Sequence, residues 1–212
     1  MKNILVTGAK GNLGNAVVKT FLQLKHQVIA CLSLMDKELG IADANVTTFS
    51  IDLNGEDACK KLITIVVNRY NSIDVAVLTV GGFMPGKIEK VTVADFEKMI
   101  ALNFYTAFNM VQPLLNQMKQ QTSGGKIILI GSGPGQDITK GKGSVAYAMS
   151  KSLVFRLAEL INAEGVEINI SAHVIIPTTI DTPQNRAAMP NADFSKWESP
   201  ESIALKIAEL SL

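Results

Sequence analysis

The order of apolar segments along the chain constrains the fold more than any other feature. Short runs rich in Val, Ile and Leu alternate with longer segments of helical periodicity. Predicted strands are Ile4–Thr7, Val28–Leu32, Val46–Ile51, Val75–Val80, Lys126–Ile130 and Ile168–Ile176; predicted helices are Asn12–Lys25, Glu56–Tyr70, Val93–Lys119, Ser144–Ala163 and Pro200–Leu210. Such alternation is typical of a parallel sheet covered by helices. We therefore predict an α/β fold with a doubly wound parallel sheet of about six strands.

Composition narrows the class of protein further. The chain has 212 residues, 47% of them apolar and 18% charged, so a single globular domain over 1–212 is expected. The net charge is +1 and no Lys/Arg block occurs, which argues against nucleic acid or anionic membrane as a partner. Cys31, Cys59, His26 and His173 are scattered, so no metal site is predicted. No apolar stretch approaches the ~20 residues of a membrane span, and we expect a cytoplasmic location.

A glycine-rich turn follows the first predicted strand and opens the first predicted helix. Glycines at positions 8, 11 and 14 allow a tight turn, close approach of the backbone to a pyrophosphate, and close packing of helix on strand. The helix N-terminus offers N–H groups to the anion. An ordinary glycine-rich turn is the alternative, but the position between strand and helix favours a dinucleotide. The predicted cofactor contacts here are Thr7, Gly8, Lys10, Gly11, Asn12, Leu13 and Gly14.

The end of the second predicted strand bears on the choice between the two nicotinamide cofactors. An NAD site usually places an acid there to hold the ribose hydroxyls. Here Ser33 stands at this end, and no acid occurs before Asp36. Lys10 adds a cation within the glycine turn, although Lys10 and Lys37 could equally be solvated lysines. The pattern favours NADP(H), with NAD(H) as the alternative.

Tyr147 and Lys151 indicate a type of reaction. Four residues apart on a predicted helix, they share one face. A nearby ammonium favours the phenolate, so the pair can exchange a proton with a carbonyl or alcohol oxygen. By itself the pair could also be two solvated side chains.

Together these patterns resemble the short-chain dehydrogenase/reductase family over nearly the whole chain. The turn matches that family's T-G-x-x-G-x-x-G variant, which implies a Rossmann fold and hydride transfer between a nicotinamide cofactor and a small carbonyl or alcohol. The resemblance makes Tyr147 the proton donor or acceptor, and Lys151 the residue that lowers its pKa and holds the ribose. Ser132 matches the family's catalytic serine, and Asn103 matches the asparagine that holds a proton-relay water.

The same resemblance supplies further cofactor positions. Asp52-Leu53 matches the adenine-contacting site, and Thr79–Gly82 replaces the family's N-N-A-G segment. Pro177–Thr182 corresponds to the segment that contacts the nicotinamide carboxamide. The residues implied are Asp52, Leu53, Gly81, Gly82, Pro177, Thr178, Ile180 and Thr182, with Tyr147 and Lys151 also facing the cofactor.

The loop at about 178–197 is similar to the substrate loop of dihydropteridine reductases, which makes quinonoid dihydropterin reduction an alternative function. That subgroup lacks the catalytic serine, whereas Ser132 is present here, and no counterpart of the family's usual last strand precedes Leu212. A second alternative is a non-catalytic NADP(H)-binding redox sensor. The family resemblance also implies a homodimer through the helices 93–119 and 144–163.

Overall fold

The computed structural model describes residues 1–212 and contains one six-stranded, all-parallel sheet. The strands are β1 Asn3–Thr7, β2 Gln27–Leu32, β3 Val46–Ser50, β4 Val75–Leu78, β5 Gly125–Ile130 and β6 Ile170–Ile175. Their order across the sheet is β3-β2-β1-β4-β5-β6, so the direction of winding reverses between β1 and β4. Open α/β sheets bind ligands beyond the carboxyl ends of the strands at this reversal. The predicted α/β fold is confirmed.

Helices cover both faces of the sheet. They are α1 Asn12–Gln23, α2 Glu56–Tyr70, α3 Val93–Ile100, α4 Thr106–Met118, α5 Gly133–Gln136, α6 Val145–Gly165, α7 Pro183–Ala188 and α8 Pro200–Ser211. Side chains alternate between the faces along each strand: in β1, Leu5 packs towards α2, α4 and α6, while Ile4 and Val6 pack towards α1 and α8. Burial on both faces explains the nearly continuous apolar runs. None of the helices has the length and apolar character needed to cross a membrane.

The prediction of one uninterrupted α-helix over Val93–Lys119 is wrong, because the structure contains a π-helical segment in the middle of it. Its residues form α3, a π-helical segment at Ala101–Tyr105, and then α4, which continues through Pro113. A π-helical turn inserts one extra residue and occurs frequently at functional sites. Apolar periodicity does not detect such an insertion, because the flanking helical faces remain almost in register.

Two predicted strands are shorter than expected for local reasons. β4 ends at Leu78 because the Thr79 hydroxyl donates to the carbonyl of Thr7 at 2.7 Å, which draws the chain out of the ladder. β6 begins at Ile170, because Val166–Ile168 form a 3₁₀ turn and Asn169 has a φ of 55°. The segment 131–143, which lies between predicted elements, and the predicted loop at about 178–197 contain the short helices α5 and α7, which are too brief to show a periodic pattern.

Candidate active site

The glycine turn between β1 and α1 is shaped by backbone packing. Gly8 has a φ of 62°, a left-handed conformation that favours glycine. A Cβ atom at Gly14 would lie 2.1 Å from the carbonyl oxygen of Gly8, so α1 can approach the turn only with glycine there. The α1 N-terminus at Gly11 has no side-chain cap, and its first turn contains no acid. Free N–H groups at a helix N-terminus suit an anion, and the turn therefore fits a pyrophosphate.

Thr79 holds β4 beside this turn. Its hydroxyl donates to Thr7 O, and its backbone N–H donates to Thr7 Oγ1 at 3.2 Å. A Cβ atom at Gly8 would lie 2.9 Å from Thr79 Oγ1. The glycine turn and the end of β4 are thus fixed as one unit.

Asn103, in the π-helical segment, is 1% exposed, and its side chain is hydrogen-bonded to the backbone of the loop after β4. Its Oδ1 accepts from Gly82 N at 2.8 Å, and its Nδ2 donates to Gly82 O at 3.0 Å. At Gly81, a Cβ atom would lie 2.7 Å from Asn103 Oδ1 and 3.0 Å from Lys151 Nζ. Glycine at 81 is therefore needed for Asn103 and Lys151 to converge behind this loop.

Lys151 is buried, with 5% exposure, and its Nζ donates to Ile130 O at the end of β5 at 2.8 Å. Burial lowers the pKa of this ammonium to about 8. The short helix α5 packs directly on it, since a Cβ atom at Gly135 would lie 2.6 Å from Lys151 Cβ. Lys151 therefore loses its proton at a pH not far above neutral.

Tyr147 lies one helical turn before Lys151, next to Ser132. Burial raises the pKa of the phenol, and the neighbouring Ser132 hydroxyl acts in the opposite direction. In this structure the Lys151 ammonium hydrogen-bonds Ile130 O, and the expectation that it lowers the pKa of Tyr147 stays a prediction. Ser132 Oγ accepts from Gly135 N at 3.2 Å, so the hydroxyl hydrogen remains able to donate into the cleft.

Phe83 lies against the catalytic tyrosine candidate. Its ring meets the Tyr147 ring edge-on, with centroids 5.0 Å apart and an interplanar angle of 74°. The side chain is 65% exposed. The loop that carries it is tied to the start of α6 by Gly86 N to Gly143 O at 2.7 Å and Val145 N to Gly86 O at 2.9 Å. An exposed aromatic face therefore borders the phenol.

Two further predicted nucleotide contacts, Ser33 and Asp52, form hydrogen bonds with residues close to them in the chain. Asp36, four residues beyond the end of β2, folds back so that its carboxylate accepts from Ser33 N at 2.9 Å. The Asp36 carboxylate therefore lies beside the end of β2, where the sequence alone predicted no acid. The Asp52 carboxylate accepts hydrogen bonds from Asn54, two residues later, and Leu53 is buried.

The segment after β6 is held by its own hydrogen bonds. Thr178 N donates to Glu198 Oε1 at 2.9 Å, and Thr182 Oγ1 caps α7 by accepting from Asn185 N at 3.1 Å. Arg186 forms a bidentate pair with Asp181 at 2.6 and 2.7 Å. Pro177 and Ile180 belong to the same ordered stretch, with Ile180 bridged to Glu198.

Helix α7 reaches across to the glycine turn. Gln184 Oε1 accepts from Asn12 Nδ2 at 3.0 Å. The segment predicted as the substrate loop therefore contacts the start of α1, beside the glycine turn. Sequence reasoning missed Gln184, because its only signal is its contact with a residue far away in the chain.

Comparison with known proteins gives a consistent assignment. The family model described as "short chain dehydrogenase" matches residues 2–193. A dihydropteridine reductase of Dictyostelium discoideum is 31% identical, covering 99% of this chain and 87% of that protein. An acetoacetyl-CoA reductase of an Acinetobacter species is 27% identical over 86% of this chain and 75% of that protein.

Solved structures support the fold. ElxO with NADP bound superposes with a TM-score of 0.90 at 22% identity, covering 100% of this chain and 91% of that one. The aldohexose dehydrogenase of Thermoplasma acidophilum, in ligand-free form, superposes with a TM-score of 0.85 at 24% identity, covering 99% of this chain and 86% of that one.

Proposed function

This chain belongs to the short-chain dehydrogenase family of NAD(P)-dependent oxidoreductases, and we propose that its substrate is a small carbonyl or alcohol that reacts beside Tyr147. The observation that carries the proposal is the convergence of Asn103, Ser132, Tyr147 and Lys151 at the carboxyl ends of β4 and β5, next to the glycine turn. These side chains come from separate segments of the chain. If Tyr147 and Lys151 were only solvated side chains, there would be no reason for Asn103 and Ser132 to lie beside them.

The cofactor would lie along the glycine turn, with its pyrophosphate on the free N–H groups of α1 and its ribose near Lys151. When bound, a nicotinamide cofactor supplies or accepts the hydride. We propose NADP(H) as the preferred form because Lys10 is exposed beside the turn, and a protein of the same fold, ElxO, has been solved with NADP. Asp36, now beside Ser33, supports NAD(H) as the alternative.

Each catalytic candidate has a distinct task in this proposal. Tyr147 gives a proton to the carbonyl oxygen or takes one from the alcohol. Ser132 donates its hydroxyl hydrogen to the same oxygen, because a lone pair of its Oγ is already occupied by Gly135 N. Lys151 in its charged form stabilises the negative charge that develops on Tyr147. Asn103 keeps the loop after β4 beside these groups.

Replacement of Tyr147 by Phe tests the proposal most directly. We expect kcat to fall by about 10²–10⁴-fold, the usual contribution of a positioned acid or base, while NADPH affinity is retained. Tyr105→Phe, at an exposed tyrosine outside the cluster, is the matched control. Full activity of Tyr147→Phe would contradict the proposal. NADPH binding by the wild type without turnover on any carbonyl, alcohol or pterin would favour the redox-sensor alternative.

Reduction of a quinonoid dihydropterin is the second candidate. It is favoured by the 31% identity to a dihydropteridine reductase and by the exposed Phe83 ring, which offers a flat apolar wall beside Tyr147. Ser132→Ala separates the two functions when assayed on a dihydropterin and on a panel of aldehydes. Loss of aldehyde reduction favours the first function, whereas undiminished pterin reduction favours the second.

We further propose one catalytic domain over residues 1–212, with its substrate loop at about 178–197, and a homodimer. Large apolar side chains are exposed on the π-helical segment, α4 and α6, namely Tyr105, Phe108, Met149, Leu153 and Leu160. Helix pairing between two copies would bury them. Leu160→Glu should then shift the mass measured by light scattering from dimer to monomer, and an unchanged mass would count against this interface.

A further inference from the structure

Ser150 is a completely buried polar residue between Tyr147 and Lys151 on α6. Its hydroxyl makes two hydrogen bonds. It donates to Tyr147 O at 2.8 Å, and it accepts from Asn103 Nδ2 at 3.0 Å. Asn103 is therefore tied to the catalytic helix through this one hydroxyl, and to the loop after β4 through Gly82.

We propose that Ser150 is a positioning residue that, together with Gly82, fixes the orientation of the Asn103 amide and so keeps the amide oxygen on the side of Gly81, which the Lys151 ammonium also borders. A serine hydroxyl has a single hydrogen. Since that hydrogen is used by Tyr147 O, Oγ presents only lone pairs to Asn103, and the amide must turn its Nδ2 towards it. The inference rests on the proposed function, because it concerns the same catalytic side chains.

The amide orientation matters because of what lies on its other side. Oδ1 accepts from Gly82 N, and it lies within 2.7 Å of the point where a Gly81 Cβ would stand. Lys151 Nζ lies within 3.0 Å of that same point. A flipped amide would place an N–H group on this side and bring two donors, Nδ2 and Gly82 N, together. Ser150 and the two hydrogen bonds to Gly82 thus favour the same orientation, with the amide oxygen on the side of Gly81 and Lys151.

Few other groups face the ammonium. They are Ile130 O from β5, which accepts the hydrogen bond of the ammonium, and the Asn103 amide from the π-helical segment, whose oxygen lies beside Gly81 as the ammonium does. Burial is the cause of the lowered pKa of Lys151, and no charged side chain on α5 or another neighbouring element contributes to it. An amide that turns its N–H group to this side would place a donor near the ammonium and should therefore lower this pKa further.

Ser152 provides a matched control on the same helix. Its hydroxyl also donates to the carbonyl three residues earlier, Met149 O, at 2.7 Å, but the residue is only partly buried and makes no hydrogen bond to Asn103. Comparing Ser150→Ala with Ser152→Ala separates loss of a hydroxyl-to-backbone bond from loss of the link to the amide.

The experiment measures kcat, the pH profile of kcat/KM, NADPH affinity and Tm for both variants. For Ser150→Ala we expect kcat to fall about tenfold or more and the alkaline limb of kcat/KM to move to lower pH, with NADPH affinity retained. Ser152→Ala should match the wild type in all four. In an Asn103→Ala background, Ser150→Ala should lower kcat no further, because both changes remove one unit.

Two results would overturn the inference. One is a Ser150→Ala variant with a lower Tm but wild-type kcat and pH profile, which would make the hydroxyl purely structural. The other is an independent, multiplicative loss in the Asn103→Ala background. Should Ser150→Ala fail to fold, Ser150→Cys keeps a side chain of similar shape with a weaker acceptor, and it must show the same shift of the pH profile. Activity of Tyr147→Phe tests the proposed function separately, since its outcome does not depend on Ser150.

Discussion

The catalytic cluster and the loops that surround it are built in different ways. Asn103, Lys151 and Ser132 are 1%, 5% and 7% exposed, and each bonds to the backbone of another segment or of its own turn. By contrast, Phe83 is 65% exposed, and Gln184 reaches the nucleotide side only through another exposed amide.

This difference indicates which property each region controls. A buried polar group that loses its partner is costly, about 1–3 kcal/mol, so the geometry of the cluster is held firmly. Exposed side chains on loops can change with little effect on stability, and binding specificity commonly resides there. In the proposed function, the cluster therefore sets the type of reaction, and the loops select cofactor and substrate.

The sharpest challenge to this comparison is a methyl group added inside the cluster. Gly81→Ala would place Cβ 2.7 Å from Asn103 Oδ1 and 3.0 Å from Lys151 Nζ, forcing both apart. We expect kcat to fall by about 10²-fold, as for a misplacement of about 1 Å. Gly55→Ala, where the nearest atoms are 3.4 Å away, is the control. Wild-type kcat in Gly81→Ala would show that the cluster adapts as easily as a loop.

Burial of Lys151 predicts a specific dependence of stability on pH. Its pKa is about 8 in the folded protein against 10.5 in the unfolded chain. Between these values the unfolded state binds more protons, so stability rises with pH; below about pH 8 both states are charged and the full cost of burial is present.

Relative to Lys151→Met, the free energy of unfolding of the wild type should therefore gain about 1.4 kcal/mol per pH unit from pH 8 to 10.5. Chemical denaturation across this range measures the difference, and Lys119→Met controls for the loss of a surface lysine. A difference that stays constant with pH would mean that Lys151 is solvated like the loop lysines.

Lys10→Ala tests the loops on the side of cofactor choice. If the exposed Lys10 ammonium meets a 2′-phosphate, NADPH affinity should fall by about fivefold, the scale of a screened surface charge pair, and NADH affinity should not change. Titration of nicotinamide fluorescence at two salt concentrations measures both. Equal losses for the two cofactors would assign Lys10 to the pyrophosphate instead.

The smallest effect is expected at the contact between α7 and the glycine turn. Gln184→Ala removes the hydrogen bond from Asn12, and NADPH should dissociate about threefold faster, in line with one exposed neutral hydrogen bond. Stopped-flow displacement measures the rate, and Asn12→Ala should give the same change without adding to it. An effect as large as that of Gly81→Ala would erase the distinction between loops and cluster.

Much of this molecule was predictable from local patterns. The apolar runs predicted all six strands, and the glycine turn fell between β1 and α1 as expected, because strand burial and turn conformation are properties of neighbouring residues. The π-helical segment at Ala101–Tyr105 was not predictable, since one inserted residue barely alters the periodicity.

Contacts between distant residues account for the other differences. In the sequence, Asp36 lies too far along the chain to be expected at the end of β2. In the structure, a tight turn brings its carboxylate to Ser33 N. Ser150 had no signal other than its place before Lys151, because its role depends on the Asn103 amide from a different helix.

The sequence by itself determined the parallel α/β architecture, the nucleotide-binding turn and the identity of the catalytic candidates. Periodicity and glycine spacing report how each segment meets its own neighbours, and these features need nothing more. Only the tertiary structure decided that Lys151 bonds to Ile130 O, that burial raises the pKa of Tyr147 and that Asn103 donates a hydrogen bond to Ser150. Burial and hydrogen bonding of these groups depend on segments far apart in the chain, and they exist only when the sheet brings those segments together.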